Sequence, residues 1–224
     1  MASASTSDPK LALTRERILA EAVAFADEHG VDALTMRKLA DRLGAGAMSL
    51  YTYVKNKDDM IEGMVDLVTA EIELPAEGEW RGAMRDSARS AHHVLLAHPW
   101  AAHEWTSRMP GPARLAYMES ILRSLAEAGL DEGLVYRGYH AVTMHIVGFT
   151  IQELGYQNFP SGQDLGAVAR AFLDDLAVAD LPHLALHVEA HLSDEDHGDE
   201  FGFVLDLILD GLDRANGDQG GRRG

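Results

Sequence analysis

Helical periodicity runs almost unbroken from Thr14 to Ala215, with apolar residues recurring every three or four positions, while strand-like alternation bounded by turn signals is nearly absent. A chain of 224 residues patterned in this way is expected to be all-α, because an apolar stripe of that period is best buried against other helices. Thr14 opens a helix whose Ile18, Ala22, Phe25 and Ala26 share one face, and His29-Gly30 closes it. Thr35 is the N-cap of Met-Arg-Lys-Leu-Ala-Asp-Arg-Leu, which stops at Gly44. After a short link comes a second small helix from Met48 to Val54, then a longer one from Lys57 to Ile72. Pro75 and Gly78 mark the boundary between a three-helix head, residues 14–74, and a larger helical body, 75–216. Body helices are predicted at about 79–97, 100–107, 112–128, 131–157, 164–178, 182–192 and 199–215. Residues 1–13, the acidic loop before Phe201 and residues 217–224 read as solvated and disordered.

Charge sharpens this division. The net charge is -17, which by itself disfavours a polyanionic partner. Between Ala33 and Lys57, however, five basic residues (Arg37, Lys38, Arg42, Lys55 and Lys57) face only Asp41, whereas from Pro75 onward 11 basic residues face 23 acidic ones. A basic head on an acidic body suits a DNA-facing module that repels DNA elsewhere. The chain has no cysteine, which rules out disulfides, thiol catalysis and Cys-ligated metal centres and fits a reducing cytoplasm. No stretch has the length and apolarity of a membrane span.

In the head, Leu39, Ala40 and Leu43 on one helix and Leu50 and Val54 on the next supply buried faces. Thr35, Met36, Arg37, Ala47, Met48, Ser49, Thr52, Tyr53 and Lys57 are left as the candidate DNA surface. A second helix that begins with small residues and hydroxyls can enter a major groove, where its first residues meet base edges. Lys57, opening the following helix, adds charge where free backbone N–H groups can receive a phosphate. The plain alternative is a well-packed three-helix unit with a basic fringe.

Thr35-x-Arg37-Lys38-Leu39-Ala40-x-x-Leu43-Gly44, followed by Ser49-Leu50-Tyr51-x-Tyr53-Val54-Lys55-Asn56-Lys57, resembles the helix-turn-helix of the tetracycline-repressor (TetR) family. The likeness extends into the body through Leu95–Trp100, Tyr117–Gly129, Ile146–Leu154 and Glu200–Ala215. It implies a ligand-responsive homodimeric repressor that binds a palindromic operator and is released by a small-molecule effector. On matching positions it implies that Arg37 reaches a guanine, that Ala47 and Met48 lie over bases, and that Ser49, Tyr51 and Tyr53 face phosphates. Gly46-Ala47-Met48 departs from the more polar residues of the tetracycline repressors themselves, so a different operator is expected. In that branch a His and a Glu hold a magnesium–drug complex. Glu153 matches the glutamate, the histidine falls to either His98 or His103, and no metal or cofactor is assigned here.

The body offers His98, His103, Trp105, His140, Met144, His145, Phe149 and Glu153 as candidate effector contacts, although aromatic and Met residues at helical spacing are as readily core. Phe201, Val204, Leu205, Ile208 and Leu212 give the last helix an apolar side suited to a dimer interface. His183, His187 and His191 recur every four residues, a spacing that could grip a metal or simply form a polar stripe. His-Val-Glu-Ala-His puts Glu189 out of place for a zinc protease, and no G-x-S-x-G elbow, phosphate loop or dinucleotide glycine run is present. An enzyme is therefore not expected. An α-helical enzyme and a helical interaction protein without DNA stand as the competing classes, and salt-dependent binding of duplex DNA separates the first reading from both.

Overall fold

The computed structural model describes residues 12–157, 167, 168, 170–173, 180–192 and 198–220. It is all-α, with no strand among the described residues. Among the described residues its helices include α1 (Arg15–His29), α2 (Met36–Leu43), α3 (Ala47–Leu50), α4 (Lys57–Thr69), α5 (Trp80–Ala97), α6 (Pro99–Glu104), α7 (Pro112–Glu127), α8 (Glu132–Gln157), α9 (Pro182–Leu192) and α10 (Glu200–Gly220). Much of the helix expected over 164–178, most of the acidic loop, and residues 1–11 and 221–224 of the two ends lie outside the described residues.

Packing divides the chain into two compact units that part between Gly129 and Leu130. Pro75 and Gly78 do separate α4 from α5, but no packing boundary falls there, because α4 rests on α5, α6 and α7 within the first unit.

In that unit α1 lies against α2, α4 and α6. Ile18, Ala22, Leu39, Leu50, Met60, Met64 and Val68 are fully buried, the larger of them each contributing about 1.5–3 kcal/mol by leaving water. The threonine caps form as the sequence predicts, Thr14 Oγ1 accepting from Arg17 N at 3.2 Å and Thr35 Oγ1 from Lys38 N at 3.3 Å. Gly44 ends α2 in the left-handed region (φ 60°), where a side chain is strained. Polar ties join α4 to the helices behind it. Asp66 accepts from the backbone N–H groups of Ala113 (3.2 Å) and Arg114 (2.9 Å), capping α7 from another helix. A β-carbon at Gly111 would collide with the Asp66 carboxylate, so a larger residue there would push the capping group aside. Arg108 donates to Asp58 and to Glu104, both at 2.6 Å, and these bonds hold its guanidinium above its usual range.

In the second unit α8 packs on α10. Leu134, Val142, Ile146 and Leu154 of α8 and Phe201, Leu205, Leu209 and Leu212 of α10 are buried. Three residues expected at a subunit interface, Phe201, Leu205 and Leu212, therefore serve the core of this unit. α10 is apolar on more than one side, and the side that remains outward carries Phe203, Val204 and Leu207. Val204 keeps its expected exposure and Ile208 is half-buried. The helix also continues beyond the expected end at Ala215, as Gly217 is not among the positive-φ glycines that would stop it.

Candidate nucleic-acid interface

Two helices and a glycine turn set the geometry. Leu39, Ala40 and Leu43 hold α2 down, and Leu50 with Val54 anchors α3 and the turn after it. α3 has only four helical residues, but Tyr53 N→Leu50 O (2.9 Å) and Val54 N→Leu50 O (3.0 Å) carry the winding through Tyr53. The result is a short projecting element whose outward residues are Met48, Ser49, Tyr51, Thr52 and Tyr53, with Ala47 half-buried at its start. Met48 is 79% exposed, an extreme value for a large apolar side chain.

Arg15 fixes the far end of this element. Its guanidinium donates to the Tyr53 carbonyl at 2.8 Å and to both carboxylate oxygens of Asp59, at 3.2 and 2.9 Å. That pairing, followed by the Lys55 N–H bond to Asp59 at 2.7 Å, holds the Asp59 carboxyl below its usual range. Arg15 was not among the sequence candidates, and no local signal could have found it, since its partners lie 38 and 44 residues away.

Four cations of this region do different things. Arg42 donates to Glu21 (2.6 Å) and Glu28 (2.8 Å) on α1, bonds that raise the guanidinium further and hold the Glu28 carboxyl down. It is a brace inside the head. Lys38 donates to the Ala33 carbonyl at 3.0 Å and lies over the Phe25 ring. Arg37 and Lys57, by contrast, are exposed and make no ion pair among the described residues. Thr35 is exposed and half-buried Met36 lies beside it. At the start of α4 the Asp59 N–H is already given to Asn56 Oδ1 (2.8 Å). That N–H is therefore not open to a phosphate, and Lys57 is the exposed cation of this first turn, beside the carboxylates of Asp58 and Asp59.

This arrangement is matched by known proteins. Residues 74–215 fit the sequence profile described as "Tetracyclin repressor-like, C-terminal domain", and residues 18–64 fit "Bacterial regulatory proteins, tetR family". The chain belongs to the TetR family. It is 37% identical over 184 residues to an HTH-type transcriptional regulator of Saccharopolyspora erythraea, covering 80% of this chain and 76% of that one. It is 34% identical over 221 residues to the HTH-type transcriptional repressor DrrR1 of Streptomyces coeruleorubidus, covering 92% and 79%. Among solved structures, apo ActR of Streptomyces coelicolor superimposes with a TM-score of 0.78 at 28% identity, over 92% of this chain and 98% of that one. ActR in complex with actinorhodin gives 0.77 at 28% identity, over 92% and 99%. This TetR-family chain is thus a DNA-binding transcriptional regulator, with its helix-turn-helix at α2 and α3.

The other candidates are dispersed. His98 is committed to Asp27, with its Nδ1 2.9 Å from the carboxylate. His103 is exposed and its Nδ1 approaches the Pro99 carbonyl at 3.2 Å. Trp105 is buried edge-on against Tyr117, with the Arg114 guanidinium 5.0 Å from its ring. In the second unit, His145 donates from Nε2 to the Phe201 carbonyl at 2.9 Å and stacks on the Phe201 ring, and Phe149 meets that ring edge-on. Burial pushes the His145 pKa down, and the Phe201 bond opposes this only in part. His140 and Met144 are exposed, so these four residues of α8 do not share one environment. Glu153 is half-buried. His183 and His187 are exposed, the His191 side chain lies outside the described residues, and no metal-ligand cluster occurs among the described residues. None of the described helices is long and apolar enough to cross a membrane.

Proposed function

We propose that the chain is a homodimeric repressor that binds a two-fold-related operator in the cytoplasm without catalytic turnover, and leaves it when a small amphipathic effector binds. The observation that carries the reading is the pairing of exposed, unbridged Arg37 and Lys57 with the protruding Met48-Ser49 tip on an otherwise acidic chain. Arg37 supplies a bidentate donor for guanine, while Ala47 and Met48 suit thymine methyl groups. Ser49, Tyr51, Thr52, Tyr53, Thr35 and Lys57 suit phosphates, with Met36 packed beside them. DrrR1 is a repressor and ActR has been captured with actinorhodin and with (S)-DNPA, which supports both repression and effector release.

For the dimer, the outward apolar residues are Phe203, Val204 and Leu207 on α10 and Tyr136, Met144 and Ile151 on α8. Such stripes on a packed helix pair suit a second copy of the same pair. For the effector, half-buried His145, Phe149 and Glu153 on α8 offer an aromatic wall and a carboxylate for a cationic or hydrogen-bond-donating group. Switching the dimer from mostly bound to mostly released requires the effector to prefer the released state by roughly 5.5 kcal/mol, about 10⁴-fold.

The test is selection of bound sequences from a random duplex pool, then titration of the complex with amphipathic compounds. The reading predicts enrichment of an inverted repeat and release by at least one compound, weakened by Phe149→Ala or Glu153→Ala. Enrichment of no sequence would refute the DNA-binding role, and release indifferent to both substitutions would move the effector site off α8.

A further inference from the structure

We infer that Asp27 is a positioning residue for operator reading: its carboxylate bolts the DNA-reading head to the α5–α6 junction and thereby sets the half-site spacing that the dimer accepts. The inference rests on the dimeric, two-half-site reading proposed above.

Asp27 lies near the end of α1, the long helix against which α2 packs. Its Oδ1 accepts from Trp100 Nε1 at 2.7 Å and from His98 Nδ1 at 2.9 Å, residues 73 and 71 positions further along the chain. A carboxylate is acceptor-only, so the His98 Nδ1 must carry the proton at this contact. Trp100 is 6% exposed, and the indole has one N–H to give. That donor goes to Asp27, so the bond satisfies a group that would otherwise be buried without a partner. His98 lies between the end of α5 and Pro99, the first residue of α6, and its side chain is 13% exposed. Its Nε2 sits 3.5 Å from the Glu71 carboxylate, just past the end of α4. One imidazole therefore touches α1 and the exit of α4 at the corner where α5 turns into α6.

Glu21 and Glu28 bond Arg42 within the head, and Arg15 reaches Asp59 and the Tyr53 carbonyl. α1 also packs on α6, and apolar packing is non-directional, so by itself it tolerates small rotations. A hydrogen bond weakens steeply with misalignment. Two bonds converging on one carboxylate oxygen therefore fix an angle that packing leaves loose. Two heads on a dimer must meet half-sites one helical turn, about 34–36 Å and 10–10.5 base pairs, or a multiple apart. Each added base pair shifts one half-site along the axis and rotates it about the duplex, so heads held at a fixed angle discriminate against spacers one base pair too long or short.

The experiment measures affinity for the selected operator and for versions with one base pair added or removed at its centre. The wild-type chain is expected to discriminate clearly among them. Asp27→Ala and Trp100→Phe should each lower that discrimination by about fivefold or more, the lower end of coupling between separated sites. Trp100→Phe keeps an aromatic ring in place and leaves no orphan donor, which guards against simple misfolding of Asp27→Ala. Asp27→Asn retains an acceptor oxygen and should restore most of the discrimination. Glu28→Gln, whose partner Arg42 lies inside the head, should leave it unchanged. Folded, dimeric Asp27→Ala and Trp100→Phe proteins with wild-type spacing discrimination would overturn the inference alone. A dimeric wild-type chain indifferent to spacing would overturn this inference and leave the dimeric reading standing, whereas a chain that selects a single half-site and sediments as a monomer would overturn both.

Discussion

The tip of α3 and the outer side of α10 both expose large apolar side chains, yet they do so in opposite company. Met48 stands among hydroxyl-bearing Ser49, Tyr51, Thr52 and Tyr53, with the unbridged cations Arg37 and Lys57 in the same head. Phe203, Val204 and Leu207 stand together on a helix whose inner side is already filled by Phe201, Leu205 and Leu209. An apolar probe among hydroxyl and cationic donors suits a groove lined by methyl groups and polar edges. A contiguous apolar stripe suits another protein surface. The difference teaches that exposure alone does not assign a partner, whereas the chemistry around the exposed group does.

The strongest way to break this comparison is to charge the stripe. Phe203→Glu combined with Leu207→Glu should yield folded monomers in sedimentation and should lower operator affinity by about 10²–10⁴-fold, the range gained by joining two binding modules. A dimer that survives both changes would place the interface elsewhere. The inner side of α10 gives the contrasting result. Leu205 is fully buried within its own unit, so Leu205→Ala should cost about 2–5 kcal/mol in denaturant unfolding, while Phe203→Ala at matched low protein concentration should cost far less.

That contrast also marks where the sequence stops being legible. Thr14, Thr35 and Gly44 were readable because a cap or a positive-φ turn is decided by residues within one turn of it. Arg37 and Met48 were readable because the motif spacing puts them outward. Arg42 was counted with the DNA-facing charge, but its partners are Glu21 and Glu28, 21 and 14 residues back on a different helix. The five apolar residues chosen on α10 shared a broad face by periodicity, and periodicity cannot say which part of a wide face meets α8. His98 had the same difficulty, since its partner Asp27 lies 71 residues away.

On the head, Arg37→Ala should cost about 1–3 kcal/mol at the selected operator and relax the preference at one base pair per half-site. Uniform weakening across all sequences would make Arg37 a phosphate contact instead. A smaller effect belongs to His145. Its folded pKa lies below its unfolded value near 6.5 because burial disfavours the charged ring. The stability this contributes is fully present above that unfolded value and is lost as pH falls through it towards the folded pKa. His145→Gln should therefore flatten the fall in unfolding free energy between about pH 7 and pH 5. An unchanged pH slope in the variant would assign the titration to other histidines.

The central claim, that the head binds duplex DNA through exposed cations it does not share with the acidic body, is tested most directly by the salt dependence of operator affinity. A plot of log affinity against log salt for the wild-type chain should be linear and steep, and Lys57→Ala should reduce its slope by about one for each lysine removed, or about two per dimer. A slope that is flat in the wild-type chain, or one that Lys57→Ala leaves unchanged, would contradict the account.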